Sequence, residues 1–582
     1  MFLSALVCLA AAAVVNPQGG GSASVEYAID AATPFVLVPV SNAGPMKDRL
    51  VIFDGKSRVR FWTLAWADGK VDWHAPLDLS AWAGRKLTFC LWGRPEAEAK
   101  QALARLRFAA KPELPADVYG EAQRAQLHLT PTLGWTNDPN GLSYYNGEYH
   151  VFYQHNPCGR NWKNMTWGHF VSKDLVHWTD LGDALHPDNL GMMFSGSAVT
   201  DFDGVAGFGK NAHILAYTAA GEPVVQCIAG SRDGRRYEKL ATNPVIRNIT
   251  PGNRDPKVFW HAPSKRWVLC LYVDNFEKDG EKWHAVQIFN SSDLRDWKLA
   301  DVVYGSRIIP RQKATDERGG TFLFECPDLV ELKVSGTDER RWAIWGATGE
   351  YAVGAFDGSK FAAEELGVKA PWNDQVAGGG GFYAAQTFAN DPKGRTVWLP
   401  WMKLKTNDDV NFNQGFGIPM ALSLKRTAEG LRMAFSPVEE YETLREGEAV
   451  SFDAFEGELA EAFFEAKVGA DAVVTLDLRG EKLVYDAAKG TLSLRSSTLN
   501  RPETAYRWRT PGGRLQLRIF VDRFGLEVLS DDYLQLVPFC DFWPPAGNRS
   551  ISYATTGRVG DVKARAYRLK GIWEKSNTRG GR

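Results

Sequence analysis

Residues 25–110 alternate short apolar runs, FVLVPV, RLVIF, RVRFWTLAW and KLTFCLW, with polar turn signals such as DGK and ADGK. Runs this short, rich in Val, Phe and Trp and closed by Asp-Gly, predict a small all-β sandwich. The stretch PEAEAKQALARLRFAAKPELPADVYGEAQRAQ breaks the pattern with Ala, Glu, Arg and Pro. It marks a passage to the next unit, with part of it strand or helix packed on that unit and a linker over 111–126.

From about residue 127 to 440 the pattern repeats. SKDLVHW, SRDGRRY and SSDLRDW share Ser-x-Asp followed by an aromatic four residues after the Asp, and FDGSKF keeps the second half. The aspartates fall at 174, 233, 293 and 357. Each copy follows a β-type run, as in HVFYQHN, VVQCIAG, AVQIFNS and YAVGAF. A period of about sixty residues built from short strands and Asp-Gly-type turns suits one propeller blade of four antiparallel strands. Four copies plus a degenerate stretch around RTVWLPWMKL predict five blades. After FSPVEEYETLREGEA, residues 441–582 form a further all-β unit in which LRIFVDRFGLEVLSDD is a clear hairpin.

The chain opens on MFLSALVCLAAAAVVN and then PQGGGSASVE, which predicts a secretory leader and flexible spacer over 1–24 and therefore an exported protein. The apolar run is too short to span a bilayer, and no later stretch approaches membrane length. Sixty-eight basic against 69 acidic residues give a net charge of −1 with no basic stripe, which excludes nucleic acid and anionic membranes as expected partners. A neutral partner fits better, and 21 Trp, 18 Tyr and 31 Phe exceed what cores need, so flat faces remain for it. The seven cysteines are scattered without a C-x-x-C pair, which predicts buried free thiols. No histidine stands in H-E-x-x-H or similar spacing, so neither a metal nor a cofactor is expected.

Propeller blades place their innermost strands around one axial pocket, so residues distant in sequence meet there. Three isolated acids stand near blade starts: Asp138 in WTNDPNG, Asp255 in GNRDPKVFW and Glu325 in FLFECPDLV. The first two lie about two periods apart and the last two about one. Each is close to a proline in an aromatic or apolar setting, where an unpaired carboxylate is costly without a task or a partner. Alone, each has a plain structural use: Asp138 in a surface turn, Asp255 paired with Arg254, Glu325 at a strand end. Together they suit two-step glycoside hydrolysis, in which one carboxylate attacks the anomeric carbon and a second, about 5–5.5 Å away, protonates the leaving oxygen.

WTNDPNGL, FYQHNP, WGHFVSKDLVHW, FSGSAV, RDPKVFW and ECPDLV, in that order, closely resemble glycoside hydrolase family 32, the invertases, inulinases and levanases. The resemblance covers about residues 127–582. It implies an all-β fold, a five-bladed β-propeller at 127–440 followed by a C-terminal β-sandwich at 441–582. It also implies Asp138 as nucleophile, Glu325 as general acid/base and Asp255 as the transition-state stabiliser. Asn137, Gln154, Trp162, Phe194, Ser195 and Arg254 fall on its fructose-binding positions. The small N-terminal β-sandwich at 25–110 is similar to a domain that precedes the propeller in some bacterial levanase-like members, which favours fructan over sucrose as substrate.

Three positions depart from the family pattern. Thr136 replaces Met, Gly381 replaces an Asp before Phe-Tyr-Ala, and IPMALSL replaces the usual Pro-Arg-Glu-Leu. The second bears on subsites beyond the terminal fructose, and the third falls where a structural role is expected. Hydrolysis of levan or inulin, fructosyl transfer on the same scaffold, and a fructan-binding protein without catalysis all remain open at this point. With no metal-ligand spacing, a chelator leaves activity unchanged; a loss of fructose release in EDTA that a divalent cation restores would contradict this.

Overall fold

The computed structural model describes residues 22–308, 321–377, 381–498 and 502–573. The expected leader lies outside them. The expected spacer is shorter than its sequence suggests, because Ser22–Ala28 is already a strand, paired with Lys86–Trp92.

Two sheets make the N-terminal unit. One runs in the order Ser22–Ala28, Lys86–Trp92, Asp48–Asp54, Ser57–Leu64, and the other is Trp73–Asp78, Phe35–Val40, Arg107–Ala109. Val36, Val38, Leu50, Ile52, Trp62 and Phe89 fill the space between them. The helix Glu96–Leu103 packs here and not on the following unit as its composition suggested. Ala99, Ala102 and Leu103, at i, i+3 and i+4, give it one apolar stripe, and the Leu103 carbonyl accepts a 2.9 Å bond from Tyr27 Oη.

Five antiparallel sheets then follow one another, each starting from an innermost strand: Gly134–Tyr145, Met192–Asp201, Arg254–His261, Asp328–Lys333 and Phe382–Thr387. The sixty-residue repeat is an Asx turn between the third and fourth strands of each blade. Asp174 accepts from the N–H groups of Val176 and His177 while bonding Ser172 Oγ. Asp233 and Asp293 repeat the arrangement with Ser231 and Ser291, and Asp357 accepts from Ser359 and Lys360. These side chains satisfy turn N–H groups that the ladder leaves over. The strand leading into the first copy is Thr166–Ser172; HVFYQHN lies one strand earlier, in Glu148–Asn156. In blade five RTVWLPWMKL supplies the second strand, and the matching turn uses Thr427 in place of the Asp, so the repeat fades there.

The ring closes where Phe412–Asn413 lies parallel to Gly134–Trp135, with Gly134 N–H donating 2.7 Å to Asn411 O. Beyond it two six-stranded sheets form the C-terminal sandwich. One of them takes in Gln375–Ala377, a strand from between blades four and five, beside Thr504–Arg507. An unbroken apolar cluster joins blades one, four and five to the sandwich. The IPMALSL segment is the third strand of blade five, with Met420, Leu422 and Leu424 buried, in keeping with a structural role. Six described cysteines are free and buried. Among the described residues no helix is long and apolar enough to cross a membrane.

The LRIFVDRFGLEV hairpin carries the polar joint between sandwich and propeller. Asp522 accepts from three successive backbone N–H groups, Gln126 at 2.7 Å, Leu127 at 2.8 Å and His128 at 3.2 Å, and from His128 Nδ1 at 2.7 Å. Glu527 faces the other ring nitrogen at 3.3 Å and accepts from Ile418 N–H. Burial opposes the imidazolium, but the two carboxylates outweigh it and push the His128 pKa up to about 9. The folded state therefore holds a proton that the unfolded chain releases near 6.5. This stabilisation is complete below pH 6.5 and lost as pH rises through about 9. Thermal melts from pH 6 to 10 are expected to fall on the alkaline side, while His128→Gln starts lower and lacks that slope.

Candidate active site

All five innermost strands present a side chain at the same end of the ring: Asp138, then Phe194 and Ser195, then Arg254 and Asp255, then Glu325 just ahead of its strand, then Tyr383. Four of these strands slip register at that point, between Thr136 and Pro139, Phe194 and Gly196, Arg254 and Lys257, and Tyr383 and Gln386. A bulge leaves a residue out of the ladder and re-aims its side chain. Here it turns Asp138, Ser195, Asp255 and Tyr383 toward one another. The Asp-Pro pairs follow from this, since a proline after the bulged residue has no N–H to leave unpaired. Asp255, Glu325 and Cys326 have φ of 65°, 54° and 41°. That is left-handed backbone for non-glycine residues, sustained only where surrounding packing enforces it. At Gly196 any Cβ would collide with the Ala216 carbonyl oxygen, so the strand that carries Ser195 needs glycine there.

The three carboxyl groups meet around Cys326. Its sulfur lies 3.5 Å from Asp138 Oδ2 and 3.5 Å from Asp255 Oδ2, and its N–H donates 3.0 Å to Asp255. Ser195 Oγ donates 2.6 Å and Asn137 Nδ2 3.2 Å to Asp138. Glu325 accepts from Arg254 Nη2 on one oxygen and Tyr383 Oη on the other, each at 2.6 Å. Arg254 Nε lies 3.8 Å from Asp255, and its guanidinium stacks on Tyr272 at 4.7 Å. Thr218 Oγ1 accepts from Asp255 N–H at 2.9 Å, fixing the bulge.

Burial, with the nearby charge of Glu325, raises Asp138 above the ordinary carboxylate value, against the Ser195 hydrogen bond. Asp255 is pushed up to about 7 by burial and by the charges of Glu325 and Asp138, with Arg254 pulling the other way. Burial, reinforced by Asp138 and Asp255, holds the Cys326 thiol far above its usual range. Such a set can do acid, base and nucleophilic work from neighbouring, largely buried oxygens.

The other residues singled out by sequence take different places. Asn137 accepts from Trp135 Nε1 at 3.0 Å, so its amide is locked beside Asp138. Gln154 is buried on the second strand of blade one and donates 2.8 Å to Met193 O. Trp162, 46% exposed, meets Phe194 edge-on at 5.9 Å. Position 381 lies at the seam with the C-terminal sheet, and a side chain there has ordinary room beside Tyr506 and Gln375. Tyr383, Trp401 and Lys403 escaped the sequence reading. Trp401 packs between Trp135 and Tyr383, and Lys403 Nζ sits 4.3 Å over the Tyr383 ring. The only signal for Tyr383 was its place after the glycine run. Among the described residues no three His, Cys, Asp or Glu side chains are grouped to hold a metal.

Residues 128–434 match the family described as Glycosyl hydrolases family 32 N-terminal domain. The chain is 35% identical over 509 residues to a levanase of Bacillus subtilis (strain 168), covering 78% of this chain and 72% of that protein. It is 29% identical over 537 residues to an extracellular exo-inulinase of Aspergillus awamori, covering 78% and 96%. The crystal structure of exo-inulinase from Aspergillus awamori superimposes with a TM-score of 0.66 at 26% identity, over 78% of this chain and 100% of that one. Fructan 1-exohydrolase IIa from Cichorium intybus shares the fold, with a TM-score of 0.60 at 21% identity over 78% and 98%.

A raised Asp255 pKa has a stability consequence. Between about 3.8 and 7 the folded state holds a proton that the unfolded chain does not, so its stabilising effect is complete below 3.8 and lost as pH rises through 7. Asp255→Asn, which mimics the neutral acid, is expected to melt higher than the parent at pH 8 and to lose that advantage toward pH 4. Equal melting temperatures at both ends would contradict the assignment.

Proposed function

The chain belongs to glycosyl hydrolase family 32, and from that premise we propose that it is a retaining β-fructosidase removing terminal β-D-fructofuranosyl units from levan or inulin, with sucrose as a lesser substrate. The observation that carries this reading is the Cys326 sulfur in reach of both the Asp138 and Asp255 carboxylates, with Glu325 the adjoining residue. Asp138 attacks the anomeric carbon, its Oδ1 and Oδ2 oriented by Asn137 and Ser195. Glu325 gives its proton to the departing oxygen, the C–O bond breaks, and a fructosyl ester of Asp138 forms. Water, deprotonated by the same Glu325, then attacks that ester; fructose leaves and Asp138 is restored. Asp255 and Arg254 take the sugar hydroxyls, and the positive charge that develops on the ring is stabilised by the flanking carboxylates. Asn137, Gln154, Trp162, Phe194, Ser195 and Arg254 complete the terminal fructose subsite. Export fits this use on polymeric substrate, and the related Aspergillus awamori protein is named as extracellular.

Fructose release from levan, inulin and sucrose, followed over time, tests the reading. The parent is expected to release free fructose from chain ends. Growth of longer oligomers would show transfer, and binding without release would show a carbohydrate-binding protein. Asp138→Asn is expected to abolish release on every substrate. Glu325→Gln is expected to lose about 10²–10⁴-fold on sucrose and fructan, yet far less on a fructoside with an activated aryl leaving group that departs without a proton. Equal losses on both would remove Glu325 as the acid.

A further inference from the structure

The loop 157–165, which carries Trp162 against Phe194, the neighbour of Ser195, is built partly into the N-terminal unit. Cys158, fully buried, belongs to the apolar core of that unit together with Leu133. Met46 of the N-terminal unit lies against Gly159, where a Cβ would come within 3.1 Å of it. Thr63 sits on Ser57–Leu64, the edge strand of its sheet. Its N–H donates to Asn164 Oδ1 at 2.7 Å, and its carbonyl accepts from Asn164 Nδ2 at 2.7 Å. One side-chain amide thus occupies the edge as a neighbouring strand would. Asn164, only 2% exposed and left-handed at φ 52°, also donates to Asn156 Oδ1 at 3.0 Å.

The same unit grips the loop's other neighbour. Asn42, fixed by Trp73 Nε1 at 2.9 Å, donates to Asp408 O, Val410 O and Asn411 Oδ1. Arg160 of the Trp162 loop pairs with Asp408 and donates to Thr406 Oγ1 at 2.8 Å, and Asn413 Nδ2 donates back to Arg160 O at 3.0 Å. Two loops from blades one and five and both sheets of the N-terminal unit therefore close a small circuit of hydrogen bonds.

We propose that the N-terminal unit is a working part of the substrate site: through Thr63 and Asn42 it holds the 157–165 loop so that Trp162 stands as a fixed wall for the bound sugar. Thr63 and Asn42 are positioning residues, distant from the reacting atoms. Their effect reaches substrate through Trp162, so it appears in affinity. The inference rests on the fructosidase reading above, and direct binding of fructose keeps the two separable.

Thr63→Pro removes the edge N–H at a place where a sheet tolerates proline, and Asn42→Ala removes the bonds to the 408–411 segment. Each is expected to raise KM for sucrose and inulin, and the Kd for fructose by calorimetry, about three- to tenfold, with kcat within about twofold. In a Trp162→Ala background the same substitutions are expected to add nothing, because residues acting through one another are not additive. Circular dichroism and melting confirm that each variant is folded, and if Thr63→Pro is not, Asn42→Ala decides. Unchanged KM and Kd in folded variants, or increments that persist in full without Trp162, would overturn the proposal. A parent that binds fructose yet releases none overturns the fructosidase reading alone, and the Kd comparison still decides this one.

Discussion

Repulsion among Asp138, Asp255 and Glu325, relieved by one guanidinium, is the constraint on which the structure turns. Arg254 touches both Glu325 and Asp255, whereas among the described residues no cation forms an ion pair with Asp138, which takes its hydrogen bonds from Ser195, Asn137 and the Cys326 sulfur. Burial is the larger cause and the repulsion adds to it, so that Asp255 is pushed up to about 7 despite Arg254. Each left-handed residue in this corner costs on the order of 1–3 kcal/mol. Local hydrogen bonds to Thr218 and Asp255 hold part of that backbone, and the blades, whose interfaces are filled by continuous apolar clusters, support the rest.

Much of this was legible in the sequence because the repeating element is polar. An Asx turn needs its aspartate at one place, so SKDLVHW, SRDGRRY and SSDLRDW marked the blades, whereas the apolar strands that do the packing vary freely. Asp138 and Asp255 were visible for the related reason that a bulge followed by proline has a short signature. Tyr383 was not, since a tyrosine after glycines has many uses and its bond to Glu325 joins residues 58 apart. Composition points the helix Glu96–Leu103 to the following unit and not to its own, because it says that a segment is packed and not against what. His128 carried no signal either. Its partners, Asp522 and Glu527, stand almost 400 residues away in a hairpin whose pattern announces strands and nothing about a buried ion pair.

The attached units brace different sides of the same seam. The sandwich takes hold of residues 126–128 through Asp522, just before the first blade begins. The N-terminal sheets take hold of the 408–411 segment through Asn42, just before the closing strand Phe412–Asn413. Propellers leave short edges between blades, and a ring made from one chain has a single place where first and last strands must find each other.

That place is next to the chemistry. Asp138 lies four residues past Gly134, whose N–H is held by Asn411 in the closing pair. Loosening of the closure therefore acts first on Asp138 of blade one and on blade five, whose Tyr383 holds Glu325, and only then on Asp255 of blade three. Misplacement by about 1 Å can cost two orders of magnitude in rate, far more than the few hydrogen bonds of the closure contribute to stability. Hydrogen bonds from both attached units on the two sides of this seam are what a reaction dependent on the position of one carboxylate requires.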